Sequence, residues 1–165
     1  MTRRAICIAV IAVIATLTAT AQKSLDFASK FMTLCQGDTT VSCVTVSPKM
    51  MEQLGKMRGD EEQDEQLAQA IAKIKTLRMV SAPATLYQRA EELLKRNGRR
   101  FALQKEYQGD NAHGAFYTRQ DRRGSTVELI MLREDDGSQT LTIVDLTGNI
   151  DEEFLCFLYN ISFKN

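Results

Sequence analysis

Histidine and tryptophan are nearly missing from this chain: His113 is the only histidine, and tryptophan is absent. A Ser–His–acid triad needs an imidazole held between an activated hydroxyl and an orienting carboxylate, and no G-x-S-x-G accompanies His113. The histidine stands in "GDNAHG", residues 109–114, among glycine, asparagine and aspartate, and that composition predicts an exposed turn between two strands. No C-x-x-C or Cys/His spacing is present, which excludes a conventional zinc site. Neither G-x-G-x-x-G nor G-x-x-x-x-G-K-[ST] occurs, so no phosphate-cradling loop is expected. Nor is there a surplus of one charge: Lys plus Arg and Asp plus Glu number 21 each. That balance gives no reason to expect nucleic acid or an anionic membrane as partner. No cofactor, metal or catalytic residue is assigned from the sequence.

Long apolar runs are also scarce, with one exception at the start. "MTRR" is basic, "AICIAVIAVIATL" (Ala5–Leu17) is uncharged, and "ATA" (Ala19–Ala21) supplies small residues. These are the three parts of a secretory signal peptide, with cleavage expected between Ala21 and Gln22. The apolar run is shorter than the roughly 20 residues that span a bilayer, so no stable membrane insertion is expected after cleavage. Residues 1–21 are thus read as a signal and 22–165 as one domain, periplasmic or secreted. Loss of Arg3 and Arg4 leaves the mature chain with two more acidic than basic residues. A domain of this size buries roughly two thirds of its unfolded surface and needs no disulfide or metal to fold.

Cysteine is sparse, and odd in number once Cys7 departs with the signal, leaving Cys35, Cys43 and Cys156. Cys35 and Cys43 could close a short loop over "QGDTTVS" in an oxidising compartment. Their apolar surroundings favour buried thiols instead.

What the chain does contain is periodicity. "KSLDFASKFMTLC" places Leu25, Ala28, Met32 and Cys35 at helical spacing. "VSCVTV" is a short β-branched strand, and "SPKMMEQLG" follows as a helix with Ser47 as cap, Pro48 at the first position and Gly55 after the last turn. "KMRGDEEQDEQ" reads as a solvated charged loop rather than a cation site, because its carboxylates lack the D-x-D-x-D-G spacing. A further helix with Leu67, Ala70, Ile71 and Ile74 on one face leads into the strand "KTLRMVSA". "ATLYQRAEELLKRNG" is a helix with Leu86, Ala90, Leu93 and Leu94 as its core stripe. Four strand-like runs then follow, "RFALQKEYQ", "GAFYTRQ", "STVELIMLRE" and "QTLTIVDLTG", separated by short polar glycine turns. Short connections make antiparallel neighbours, hence a four-stranded C-terminal meander. A final helix opens at Asp151–Glu153 and carries Phe154, Leu155, Phe157 and Leu158. The predicted fold is α+β: a mainly antiparallel sheet with helices packed on one face. Strand order is left open.

Most charged groups have structural explanations. Asp135 and Asp136 suit a hairpin turn, Asp151–Glu153 a helix start, and Glu91–Glu92 the solvent side of a helix. Asp145 differs, because it alternates with Leu141 and Ile143 on one strand face and so needs a partner, with backbone amide the favoured one. Arg96, Arg99 and Arg100 follow one helix, while Arg119, Arg122 and Arg123 surround a hairpin turn. Folded together, the two groups would hold an acidic partner; apart, they are helix-end and turn charges.

"TVSCVTVSPKMM", "IKTLRMVSA", "ELIMLRED" and "LTIVDLTGNID", in that order, resemble a family of small exported proteins of the Bacteroidota catalogued as domain of unknown function 4252, over roughly Ser24–Tyr159. The resemblance implies a Gram-negative envelope setting and no transferable activity or site residues. In that setting "DTT" (Asp38–Thr40) is similar to a short O-glycosylation sequence of such bacteria. The expectation is therefore a non-catalytic interaction or regulatory module that binds an envelope protein or itself. The alternative is a small-ligand binder or hydrolase whose pocket lies between sheet and helices, with Asp145, Tyr107 and Tyr117 as polar groups.

Overall fold

A computed structural model describes residues 25–56, 69 and 72–155. Helix α1 (Phe27–Leu34) is followed by β1 (Ser42–Val46), α2 (Pro48–Lys56) and β2 (Ile74–Pro83). A single 3-10 turn (Ala84–Leu86) leads into α3 (Tyr87–Arg96), then β3 (Ala102–Gln108), β4 (Ala112–Gln120), β5 (Thr126–Asp135) and β6 (Thr140–Gly148). Residues 152–155 form one further helical turn. The charged stretch 57–68, the signal-like segment, Cys7, Cys156, and Phe157 and Leu158 of the last predicted helix lie outside the described residues.

The six strands make one antiparallel sheet in the order β1-β2-β6-β5-β4-β3. The fold is α+β with a mainly antiparallel sheet, as the periodicity predicts, and β3 to β6 form the expected meander. Pairing of β2 with β6 brings the two halves of the chain together, from Ile74↔Gly148 to Pro83↔Thr140.

Side chains alternate across the strands, so each row of partners has an inner and an outer face. The inner face is covered by α1 and α3. Its core joins Phe27, Ala28 and Phe31 of α1 and Ala90 and Leu94 of α3 to Val80, Ile130, Leu132, Leu141 and Ile143 of the sheet. Burial of each large side chain contributes about 1.5–3 kcal/mol. Phe27 stacks on Phe31 at 6.3 Å and meets Phe101 edge-on at 6.1 Å. The outer face holds a second cluster, in which Ile150 and Phe154 cover Ile74, Phe116, Leu129 and Leu146. The helices α1 and α3 share one face, while the C-terminal turn covers one end of the other.

Several local expectations shift. The stripe of α1 runs through Phe27, Ala28, Phe31 and Cys35, and Leu25 is 57% exposed. Two phenylalanines bury more area than the Leu25–Met32 register would, and so set the helix's rotation. Ile74 belongs to β2 rather than to a helix, with a bulge between it and Thr76. Helix α2 runs through Gly55 to Lys56, with Ser47 Oγ accepting from Met50 N at 3.4 Å. Cys35 is buried and Cys43 half-buried against the inner core, and both are free thiols.

Candidate functional site

The inner face ceases to be apolar at one end, where α1 begins. Asp26 caps the helix by accepting from Ser29 N at 2.8 Å. The next two amides have distant partners: Phe27 N donates to Glu128 Oε1 of β5, and Ala28 N to Asp145 Oδ2 of β6, each at 2.7 Å. Both carboxylates are sealed from water, Glu128 at 0% and Asp145 at 1% exposure. Opposite charges flank them. Arg119 Nε, the cross-strand neighbour of Glu128, donates to Glu128 Oε2. Arg78, the cross-strand neighbour of Asp145, donates to Ser29 Oγ and lies 3.4 Å from Asp26 Oδ1.

Five physical influences compete at Asp145. Burial disfavours its charged form, and the nearby Glu128 and Asp26 carboxylates repel it; the Ala28 amide and Arg78 favour the charge. Burial and repulsion win, and the carboxyl is pushed up to about 7. Its Oδ1 and the Arg78 Nε are buried without hydrogen-bond partners among the described residues. A carboxyl that titrates near neutrality is a general-acid candidate by proton affinity alone. With 1% exposure it has no access to substrate, and its bond to Ala28 makes it an anchor for α1. The backbone partner expected for Asp145 is therefore a helix amide. Glu128 escaped the sequence reading although the same signal was present: it alternates with the buried Ile130 and Leu132 as Asp145 does with Leu141 and Ile143.

Beside this network the two arginine groups partly converge. A groove of about 510 Å³ at the start of β3 is lined by Arg99, Arg100 and Arg119, together with Gln104, Thr118 and Asp121 among others. Arg100 Nη2 donates to Leu25 O at 3.2 Å, and its guanidinium sits 5.4 Å from the Phe101 ring centre. Arg122 and Arg123 do not line the groove. They stay in the β4–β5 turn, where Asp121 Oδ1 accepts from Arg123 N and Ser125 N, at 2.8 and 3.0 Å.

A second groove, about 330 Å³, is lined by Tyr87, Glu91, Glu106, Tyr107, Gln108, His113 and Gly114. Here the turn assignment of His113 is corrected. The turn closes earlier, with Gly109 N donating to Ala112 O at 2.8 Å, and His113 is already in β4. It pairs with Glu134 across the β4–β5 ladder, its Nε2 3.4 Å from Glu134 Oε2, and packs on the Tyr87 ring at 4.9 Å. An aromatic surface on α3 and a carboxylate on β5 hold it half-buried. Tyr107 reaches this groove, and burial raises its phenol above the ordinary value. Tyr117 does not; it is 3% exposed in the inner core, with its Oη unpartnered among the described residues. Asp145, Tyr107 and Tyr117 therefore do not converge on one pocket.

Among the described residues no group of three or more His, Cys, Asp or Glu side chains could hold a metal ion. None of the described helices is long and apolar enough to cross a membrane. Residues 22–155 match the family model of the domain of unknown function DUF4252, and the chain belongs to that family. No curated protein matches it.

Proposed function

We propose that the protein is an exported, non-catalytic interaction module that receives an extended segment of an envelope protein along the edge of β1, which pairs with no further strand among the described residues. The export reading rests on the basic, apolar and small-residue order of residues 1–21. The interaction reading rests on one observation, the contrast between the two sheet edges. Edge strands commonly carry charges, prolines or bulges that discourage a further strand. β3 has Lys105, Glu106 and a register shift between Leu103 and Lys105. β1, "SCVTV", has no charge, no proline and an unbroken register with β2. Beside that edge the outer face offers apolar ground. Val44, 63% exposed, partners Met79, 46% exposed, and the row continues through Val144 to Met131. A segment added to β1 would gain main-chain hydrogen bonds, and apolar residues at alternate positions would extend this row.

The test is crosslinking in the native envelope followed by mass spectrometry, with wild-type chain and Val44→Asp side by side. A single partner that Val44→Asp fails to capture, and that slows amide exchange over residues 42–46 on binding, supports the reading. Capture unaffected by Val44→Asp, or recovery only of a second copy of the chain, overturns it.

A small-ligand binder is the second reading, favoured by the groove at Tyr87, Tyr107 and His113. Its volume, about 330 Å³, falls at the lower end for small-molecule sites. None of the described residues that line it is a serine, threonine or cysteine, so it supports binding rather than acyl transfer.

A further inference from the structure

The groove at the start of β3 has more positive charge than its surroundings neutralise. Arg119 gives its Nε to Glu128, whose other oxygen is taken by the Phe27 amide. Asp121, the one acid among the described residues that line the groove, has Oδ1 committed to two amides of its own turn. Arg99 is exposed and has no hydrogen bond or ion pair among the described residues. Arg100 Nε is buried and unpartnered among them, although the same guanidinium reaches Leu25 O through Nη2. The crowding registers on a neighbour: the Lys30 ammonium titrates below its usual value, first through burial and then through repulsion by Arg100, with Arg119 adding to it against the pull of Glu128. Gln104 Nε2 donates to Thr118 Oγ1 at 2.9 Å and to Ala102 O at 3.4 Å, and adds a polar wall.

We propose that this groove is an anion-binding site for a small multivalent anion bearing carboxylate or phosphate groups, gripped by Arg99, Arg100 and Arg119. Guanidinium forks match the oxygen pairs of both groups and bind them through charge-assisted hydrogen bonds. An anion with two acidic groups is called for because Arg99 and Arg100 each have a guanidinium without a carboxylate partner among the described residues, while Arg119 already shares Glu128. The groove's volume, about 510 Å³, accommodates a ligand of that size. It borders β3, at the opposite edge of the sheet from β1. Failure of either proposal therefore leaves the other standing.

Calorimetric titration of the purified chain with pyrophosphate and with citrate, in about 20 mM salt, tests this directly. The expected result is saturable one-site binding of at least one of them, weakened about tenfold by Arg99→Gln. Raising the salt to about 200 mM weakens it further, and Arg122→Gln, outside the groove, leaves it unchanged. Pyrophosphate alone binding identifies phosphate as the preferred group; citrate alone identifies carboxylate. No saturable binding of either, or a loss smaller than about threefold in Arg99→Gln, overturns the assignment. Because Arg99 is exposed and unpaired among the described residues, its replacement leaves the fold intact, so lost binding cannot be lost structure.

Discussion

At the scale of single residues, Asp145 carries the sharpest consequence. Its carboxyl titrates near 7 in the folded chain, against a reference value of 3.8. The folded state therefore binds a proton that the unfolded state has already released between those two pH values. Stability from this group is complete below about pH 4 and falls as pH rises toward 7. Asp145→Asn removes the charge while its amide oxygen can still accept from Ala28 N. The variant is expected to exceed the wild type in stability at pH 8, by roughly 2–3 kcal/mol. The advantage should shrink as pH falls and reach near zero only at about pH 3.5, below the reference value. Urea melts of both proteins at the two pH values check this; equal stability at pH 8 would mean that Arg78 and the helix amide outweigh burial and Glu128. Asp145 is a structural carboxylate, and its titration is read in the stability of the fold itself.

Among the elements, β4 is tightly constrained by packing. A Cβ placed on Gly114 would lie 2.0 Å from Leu132 O and 2.6 Å from Tyr107 Oη. The first of these is backbone of the neighbouring strand and cannot move aside without breaking the β4–β5 ladder. Gly114→Ala is thus expected to cost at least about 2–3 kcal/mol. It should also disturb Tyr107 and, through the strand, the His113 groove. Thermal melts measure the first effect and Tyr107 ring resonances the second; a variant as stable as wild type would show that the strands are not this close. The same element marks the limit of what the sequence discloses. The meander β3 to β6 was legible because each reversal is local and written in glycine, aspartate and asparagine. The start of β4 was not, because Ala112 and His113 have turn-like neighbours, and only Glu134 and Tyr87, distant in sequence, make them strand. β2–β6 pairing was hidden for the same reason, since nothing local marks two strands about 65 residues apart as partners. At the candidate sites, Asp145's burial could be read from alternation. The convergence of Arg99 and Arg100 with Arg119 could not, since it depends on β3 folding back against β4.

For the molecule as a whole, the decisive feature is that both faces of the sheet are apolar but are covered to different degrees. The inner face lies under α1 and α3, and α1 is fixed at its start by two buried carboxylates from the last two strands. The outer face is covered at one end by Ile150 and Phe154, with Asp151 holding the turn by accepting from Phe154 N at 2.9 Å and by its ion pair with Lys73. Toward β1 the same face remains open at Val44 and Met79. This arrangement divides the outer surface into a sealed half and an available half, which is what a docking surface on a small stable domain requires. Phe154 should therefore matter to stability and Val44 should not. Phe154→Ala is expected to lose about 3 kcal/mol, with faster amide exchange in β5 and β6, whereas Val44→Asp should lie within about 0.5 kcal/mol of wild type. Urea denaturation of the two variants separates the roles. If Val44→Asp were as damaging as Phe154→Ala, the β1 end would be part of the core and unavailable to a partner. If Phe154→Ala cost little, the sheet would stand on its inner face alone, and the C-terminal turn would be an attachment rather than a closure.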